Sequence, residues 1–254
     1  MIIILATGNQ HKIREFSAML GDKDIKVYAY EEILKPLHII ENGTSFAENA
    51  SIKVQAIYEA LYTQSQHQDN PHTQNPPLLQ APLALIAEDS GLCVSALNGE
   101  PGIYSARYAE YKHFVKNLAQ NTQKMQNPHP TQAHTMTHNS TDSDNLQCLI
   151  EQIAPFAPTP AFFVAHIALI YVKSLPLLPF SQCHIEHFEG KLEGVAISEP
   201  RGNEGFGYDP IFMPNEHNPL RKSLAEFEPS AKNAISHRRQ ALSQCVEWLD
   251  KKRK

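Results

Sequence analysis

The sequence predicts an α/β protein, because short apolar runs with the length of buried strands alternate with longer stretches of helical periodicity. Ile2 to Ala6 is a β-branched run that predicts a central strand. A helical pattern follows it, with Ile13, Phe16 and Leu20 on one face. Phe162 to Val172 is the longest strand candidate, and we expect it also to be central.

Composition and charge limit the class of protein. A chain of 254 residues allows one large domain or two small lobes, and its formal net charge of -5 gives no general attraction to nucleic acid or to an anionic membrane. No apolar run approaches the length of a membrane span, and Met1 to Leu5 is too short for a signal peptide. The cysteines lack zinc-ligand spacing, so we expect reduced thiols in a cytoplasmic protein.

The stretch P-L-A-L-I-A-E-D-S-G-L-C-V-S-A-L-N-G-E-P-G-I-Y-S-A-R, from Pro82 to Arg107, is predicted to be the centre of the protein. An apolar strand should end in two acids, Glu88 and Asp89, before Ser90 and Gly91 turn the chain. Adjacent carboxylates repel each other unless a cation lies between them, and Mg²⁺ is the simplest candidate. The alternative is that the two acids only cap a hairpin at this turn.

The loop T-G-N-Q-H-K, from Thr7 to Lys12, lies between the first strand and the first helix. Free N–H groups and the positive end of the helix dipole would point at a bound phosphate, and Lys12 would add a positive charge. The spacing matches neither of the common glycine-rich nucleotide loops. The alternative is an ordinary connection with a solvated lysine.

Thr44 to Glu48 is predicted to start a second helix, with Ser45 and Glu48 forming a capping box. Glu48 then has two interpretations. It is either only a capping acid, or a metal ligand or water-orienting carboxylate that faces Asp89.

Two polar segments, 63–80 and 121–144, are poor in residues that could pack, and we expect them to be mobile insertions. The second contains three histidines, but a disordered insertion is favoured over a metal site. Further local predictions are a strand at Lys26 to Tyr30, a short strand at Leu37 to Ile40, a helix at Ser105 to Ala119, a helix at Leu146 to Ile153, and a half-exposed hairpin at Cys183 to Ile197.

The glycine-rich stretch Ser198 to Asp209 is predicted to be a ligand loop. Glycine lets the backbone approach a flat ligand, Phe206 could stack on it, and Asp209 could accept hydrogen bonds from the edge of a base. The alternative is a glycine-rich hairpin with half-buried aromatic residues.

A helix is predicted to start at Glu228 with Pro229 in its first turn. Lys232, His237 and Arg238 would lie in its first turns, with Lys232 and His237 about 140° apart, flanking a ligand from two sides. The alternative is a solvated basic face. A lone histidine inside a strand, His166, is treated as a core residue and not as a catalyst.

The motifs T-G-N-Q-H-K, F-A-E-N-A, E-D-S-G-L with P-G-I-Y-S-A-R, G-F-G-Y-D-P and K-N-A-I-S-H-R occur in this order. Together they resemble the inosine triphosphate pyrophosphatase family, the house-cleaning dITP/XTP pyrophosphatases. The resemblance covers the chain apart from the two polar segments. It implies an α/β fold with a long mixed sheet flanked by helices, two lobes with a substrate cleft, and a homodimer.

The resemblance also implies Mg²⁺-dependent hydrolysis of ITP, dITP and XTP to the monophosphate and pyrophosphate. It assigns Glu48 and Asp89 to the metal, with Asp89 also accepting the proton of the attacking water. The residues it implies for substrate binding are Thr7, Gly8, Asn9, Gln10, His11, Lys12, Ser90, Phe206, Gly207, Tyr208, Asp209, Lys232, His237 and Arg238.

One departure concerns Glu88, because the family usually has two aspartates where this chain has Glu88 and Asp89. Two other functions stay open at this point. One is a nucleotide-binding regulator that does not hydrolyse its ligand, and the other is a hydrolase of a different modified nucleotide, such as a methylated pyrimidine triphosphate.

Overall fold

The computed structural model describes residues 1–8, 10–20, 25–66, 82–122 and 140–252, and predictions that fall on other residues lie outside these ranges. The described strands form one six-stranded sheet in the order β2-β1-β3-β4-β5-β6. The strands are β1 (Ile2–Leu5), β2 (Lys26–Ala29), β3 (Leu83–Val94), β4 (Thr159–Val172), β5 (Ile185–Ala196) and β6 (Phe212–Pro214). The helices are α1 (Gln10–Leu20), α2 (Phe46–Gln66), α3 (Tyr108–Thr122), α4 (Asp142–Ile153), α5 (Pro229–Ile235) and α6 (His237–Lys252).

The sheet is mixed, which confirms the predicted α/β class. β1 is parallel to both β2 and β3, and its register places Ile2 beside Leu83 and Leu5 beside Ile86. β5 and β6 are antiparallel. β1 therefore ends level with Ile86, while β3 continues beyond it.

The turn predicted at Ser90 and Gly91 is wrong. β3 is continuous from Leu83 to Val94, so Glu88 and Asp89 lie in the middle of a strand and cap no hairpin. They still lie just beyond the carboxyl end of the parallel neighbour β1, where ligands bind in open α/β sheets.

Two other strand predictions are also wrong. Residues 37–40 form no regular element, and residues 185–196 form the single strand β5, not a hairpin. Alternation of polar and apolar residues indicates a half-exposed strand, but it does not say whether the chain reverses within it.

The described ends of the two polar segments are helical, which the prediction of mobile insertions did not expect. α2 continues to Gln66, α3 continues to Thr122, and α4 already begins at Asp142. Polar residues extend exposed helix ends without needing to pack, and Thr141 caps α4 by accepting a hydrogen bond from the backbone N–H of Asp144. Residues 67–80 and 123–139 lie outside the described residues.

The single carboxyl-terminal helix is also a wrong prediction. Ser236 has an extended backbone, with φ −67° and ψ 149°, and it separates α5 from α6. Lys232 therefore belongs to α5, whereas His237 and Arg238 begin α6. The predicted angle between Lys232 and His237 does not apply, because it assumed one continuous helix.

The chain divides into two compact units. Unit 1 comprises residues 1–89, 165–190 and 237–254, and unit 2 comprises residues 90–164 and 191–236. Unit 1 has a core on each face of its strands, with α2 covering one face and α1 and α6 covering the other. The core of unit 2 includes side chains from α4, β6 and the distal half of β3. Within the described ranges, no helix is both long and apolar enough to cross a membrane.

Candidate active site

The alternation of side chains along β3 separates the two acids. Leu83, Leu85 and Ala87 belong to the core beneath α2, whereas Ala84 and Ile86 belong to the core beneath α1 and α6. Asp89 continues the first series and Glu88 the second, because successive side chains of a strand point to opposite faces. The predicted repulsion between neighbouring carboxylates is therefore wrong, since the pleat of the strand already separates them.

Cations from α1 and α6 hold Glu88. Lys12 Nζ lies 2.6 Å from Glu88 Oε2, and Arg238 Nε donates to Glu88 Oε1 at 3.1 Å. Arg238 also donates through its NH1 group to Glu15 Oε2 at 2.8 Å. Glu88 and Arg238 are buried, so this is an internal network of two acids and two bases. It assigns a structural partner to Glu88, whose role the sequence left open.

The start of α6 approaches the sheet closely enough for Arg238 to reach Glu88. A β-carbon at Gly190 of β5 would overlap the carbonyl oxygen of His237 and lie 2.6 Å from the backbone nitrogen of Ala241. Only glycine leaves room for the helix backbone at this point of the strand.

Two side chains from α2 hold Asp89. Lys53 Nζ lies 3.3 Å from Asp89 Oδ1, and Asn49 Nδ2 donates to Asp89 Oδ2 at 3.2 Å. The same lysine donates to Glu41 Oε2 at 2.8 Å. Burial alone would lower the pKa of Lys53, but Asp89, Glu41 and Glu88 more than offset this and raise it. Lys53 is therefore a charged ammonium between two carboxylates.

Glu41, Asn49 and Lys53 were not among the site residues predicted from the sequence. A signal for two of them was present, because Asn49 and Lys53 share the buried side of α2 with Ala50 and Val54. Polar residues at the buried positions of an amphipathic helix need partners inside the protein. Glu41 lies in an irregular segment and gave no comparable signal.

Glu48 is exposed and interacts with the start of its own helix. Its Oε2 accepts hydrogen bonds from the backbone N–H of Thr44 at 2.6 Å and from the Thr44 hydroxyl at 2.9 Å. These bonds lower the pKa of Glu48. Ser45 Oγ accepts from the Glu48 N–H at 3.2 Å, as a cap should. The capping interpretation therefore has a geometric basis, and the metal role of Glu48 stays a prediction.

A metal at Asp89 would depend on few protein ligands. Among the described residues, no group of three or more His, Cys, Asp or Glu side chains could hold a metal ion. Mg²⁺ does not require such a group, because it is usually bound by one or two carboxylates together with water and substrate phosphates. Asp89 and Glu41 supply oxygen donors of this kind on either side of Lys53.

The predicted phosphate loop follows β1. The backbone N–H of Ala6 donates to the Ile86 carbonyl at 2.7 Å, which fixes the point where the chain leaves the sheet. Thr7 and Gly8 continue this loop, and Lys12 lies in the first turn of α1. Asn9 lies outside the described residues, and Gln10 and His11 begin α1.

The glycine-rich loop lies in unit 2, and the structure brings Lys232 to it. Lys232 Nζ donates to Asp209 Oδ2 at 2.7 Å and lies 4.6 Å from the centre of the Phe206 ring. The backbone N–H of Phe206 donates to the same oxygen at 2.9 Å. Tyr208 is buried, and its hydroxyl donates to the Ser105 carbonyl at 2.8 Å. Ser90, also in this unit, belongs to β3.

A mixed sheet that carries buried carboxylates beyond the carboxyl end of its parallel strand β1 defines the class of open α/β proteins, which bind ligands at this edge of the sheet. The comparisons with known proteins are more specific. The sequence model of the Ham1 family matches residues 3–139 and 127–248. The chain belongs to the Ham1 family.

Similar proteins cover nearly the whole chain. It is 55% identical over 255 residues to a dITP/XTP pyrophosphatase from Helicobacter hepaticus, with 98% of each protein covered. It is 35% identical to a dITP/XTP pyrophosphatase from Sulfurovum sp., covering 96% of this chain and 90% of that protein. The solved structure of the Staphylococcus aureus Ham1 protein gives a TM-score of 0.68 at 29% identity, covering 99% of this chain and 100% of that one.

Proposed function

We propose that this protein hydrolyses the non-standard purine nucleoside triphosphates ITP, dITP and XTP to the monophosphate and pyrophosphate. The observation that carries the proposal is its 55% identity, over 98% of both chains, to a dITP/XTP pyrophosphatase. The buried acid–base cluster around Asp89 supplies groups suited to this reaction. The proposal extends to a cytoplasmic location and a homodimer.

The phosphate chain needs positive groups, and the start of α1 offers them. Lys12 and the backbone N–H groups at the start of α1 would bind phosphate oxygens. When Lys12 turns to a phosphate, Glu88 keeps its hydrogen bond from Arg238, so this buried carboxylate retains one charged partner.

Asp89 would accept the proton of the attacking water. A general base must lie within hydrogen-bond reach of that water and be held in one orientation. Lys53 and Asn49 provide the orientation, since each contacts a different carboxylate oxygen of Asp89. Mg²⁺, when bound at Asp89 and Glu41, would neutralise phosphate charge and lower the pKa of a bound water. Glu48 remains the alternative to Glu41 as the second protein ligand of Mg²⁺.

The base would be read by the glycine-rich loop. Phe206 would stack on the purine, and the ammonium of Lys232 fixes the position of Asp209. A hydrogen-bond donor placed for the 6-oxo group of the purine would face the amino group in adenine. That donor would then have no acceptor, which is costly when the donor is buried. That His237 or Arg238 supplies this hydrogen-bond donor stays a prediction.

A substrate panel with pyrophosphate detection tests the proposal. The panel contains ITP, dITP, XTP, ATP, GTP and a methylated pyrimidine triphosphate, each assayed with Mg²⁺ and again after chelation with EDTA. We expect release of pyrophosphate from the first three, and loss of activity in EDTA that added Mg²⁺ restores. Binding of ITP without turnover would indicate a regulator, and preference for the pyrimidine would indicate another hydrolase.

The variant Asp89→Asn separates chemistry from binding. It keeps the shape of the side chain but removes the base, which we expect to lower kcat about 10²- to 10⁴-fold. Near wild-type kcat at saturating Mg²⁺ would contradict the role of Asp89. Sedimentation equilibrium tests the homodimer, and a monomer at assay concentrations would remove that part of the proposal.

A further inference from the structure

The peptide between Phe206 and Gly207 lies near the carboxyl end of the glycine-rich loop. Gly207 has φ +60°, a conformation that glycine adopts without strain, and a β-carbon placed there would meet no atom within 4 Å. A glycine peptide with open space beside it can rotate at small energetic cost. The hydrogen bonds of this peptide therefore select its orientation.

Both polar groups of this peptide are bonded. The Phe206 carbonyl accepts from the backbone N–H of Asp209 at 3.3 Å, within the loop itself. The Gly207 N–H donates to Asp142 Oδ2 at 3.1 Å, and Asp142 lies 65 residues earlier in the chain. The orientation of the peptide thus depends on one bond inside the loop and one bond from α4.

The start of α4 is a firm support for Asp142. Asn145, which is 2% exposed, accepts from the backbone N–H of Ala109 at 3.0 Å and donates to the Ala106 carbonyl at 3.1 Å. Ser140 Oγ accepts from the backbone N–H of Glu110 at 3.1 Å. These bonds fix the first turn of α4 to the start of α3, so the carboxylate of Asp142 is presented from an anchored helix end.

We propose that Asp142 is a positioning residue for substrate binding, because it fixes the Phe206–Gly207 peptide and with it the direction of the Phe206 ring. This inference rests on the proposed function of the loop as the site of the purine. Asp142 would contact neither the base nor the phosphates. Its loss would weaken substrate binding and leave the hydrolytic step unchanged.

Asp144 provides a matched control. Both aspartates are exposed and lie in the first turn of α4, where each favours the helix through its charge. Asp144 accepts from the hydroxyl of its neighbour Thr141 at 2.7 Å, whereas Asp142 accepts from Gly207. Asp142→Ala and Asp144→Ala therefore remove the same charge from the same turn, but only the first removes the bond to the loop.

Steady-state kinetics with ITP and XTP test the proposal. We expect Asp142→Ala to raise KM about three- to ten-fold, the loss typical of one hydrogen bond, with kcat within about two-fold of wild type. Asp142→Asn should stay close to wild type, because its carbonyl oxygen can still accept from Gly207. Equal KM values for Asp142→Ala and Asp144→Ala, or no rescue by Asp142→Asn, would overturn the proposal.

Hydrogen–deuterium exchange gives a readout that does not depend on activity. Peptides covering residues 203–209 should exchange faster in Asp142→Ala than in wild type or Asp144→Ala, with unchanged exchange in β4. Unchanged exchange in the loop would overturn the proposal. If the wild type fails to hydrolyse ITP, the proposed function fails, while the exchange experiment still decides whether Asp142 holds the loop.

Discussion

Lys53→Met is the most informative perturbation of unit 1. Methionine fills nearly the same volume as the lysine stem but carries no charge. The side chain of Lys53 is only 11% exposed, and its ammonium lies 2.8 Å from Glu41 and 3.3 Å from Asp89. The substitution therefore leaves two carboxylates without the ammonium that they share.

The expected loss follows from these distances. At an effective dielectric constant of about 20, two unit charges 3.3 Å apart attract by roughly 5 kcal/mol. Removing one partner of a buried ion pair typically destabilises a protein by about 3–5 kcal/mol. Glu41 is 29% exposed, so water stabilises it after the change. We therefore expect the lower end, about 3 kcal/mol, or a melting temperature lower by roughly 10 °C.

Urea unfolding of wild type and variant measures this loss. The double variant Lys53→Met with Asp89→Asn should recover part of the stability, because it no longer leaves Asp89 charged. Lys251→Met is the control, since Lys251 pairs with Glu247 on the exposed side of α6, and it should leave stability unchanged within error. A loss below about 1 kcal/mol for Lys53→Met would refute the reasoning.

Three further predictions concern other parts of unit 1. Glu41→Gln should raise the Mg²⁺ concentration for half-maximal ITP hydrolysis at least about ten-fold, whereas Glu48→Gln should leave it unchanged. The reverse result in this Mg²⁺ titration would indicate Glu48, not Glu41, as the metal ligand. Gly190→Ala should lower the free energy of unfolding by about 1–3 kcal/mol, because the β-carbon would overlap α6, and an unchanged urea midpoint would contradict that close approach. Burial lowers the pKa values of His166 and His187 from the usual 6.5, so the unfolded chain binds more protons below about pH 6.5 and stability should fall there. Urea unfolding between pH 5 and 7 would show that the free energy of unfolding depends less on pH in the variant with both histidines replaced by Gln. Equal pH dependence in the variant and the wild type would contradict the burial argument.

The elements that could be predicted from the sequence are those whose signal is local. β1 and α1 were recognisable because a β-branched run meets a helical periodicity within a few residues. β4 was recognisable from its long apolar run, and the glycine-rich loop from its three closely spaced glycines. Each of these patterns reports on neighbouring residues, so no distant contact was needed to interpret it.

The elements that could not be predicted depend on residues far apart in the chain. The turn expected at Ser90 and Gly91 does not form, because β3 extends beyond the end of its neighbour β1 as part of a larger sheet. Arg238 reaches Glu88 across 150 positions of sequence, and neither residue indicates the other. The break at Ser236 is a change of backbone direction within a sequence that reads as one helix.

The separation of Glu88 from Asp89 changes the argument for a metal ion. On the Glu88 face, Glu15 and Glu88 are balanced by Lys12 and Arg238, so these four side chains carry no net charge. On the Asp89 face, Glu41 and Asp89 share Lys53, so these three carry one net negative charge. A triphosphate adds further negative charge, and the low dielectric of a buried site makes that costly unless a cation accompanies it. The proposal of Mg²⁺ therefore depends on the charge that a triphosphate bound at Asp89 would add, not on repulsion between neighbouring acids. The proposed ion would lie on the face of the sheet that α2 covers.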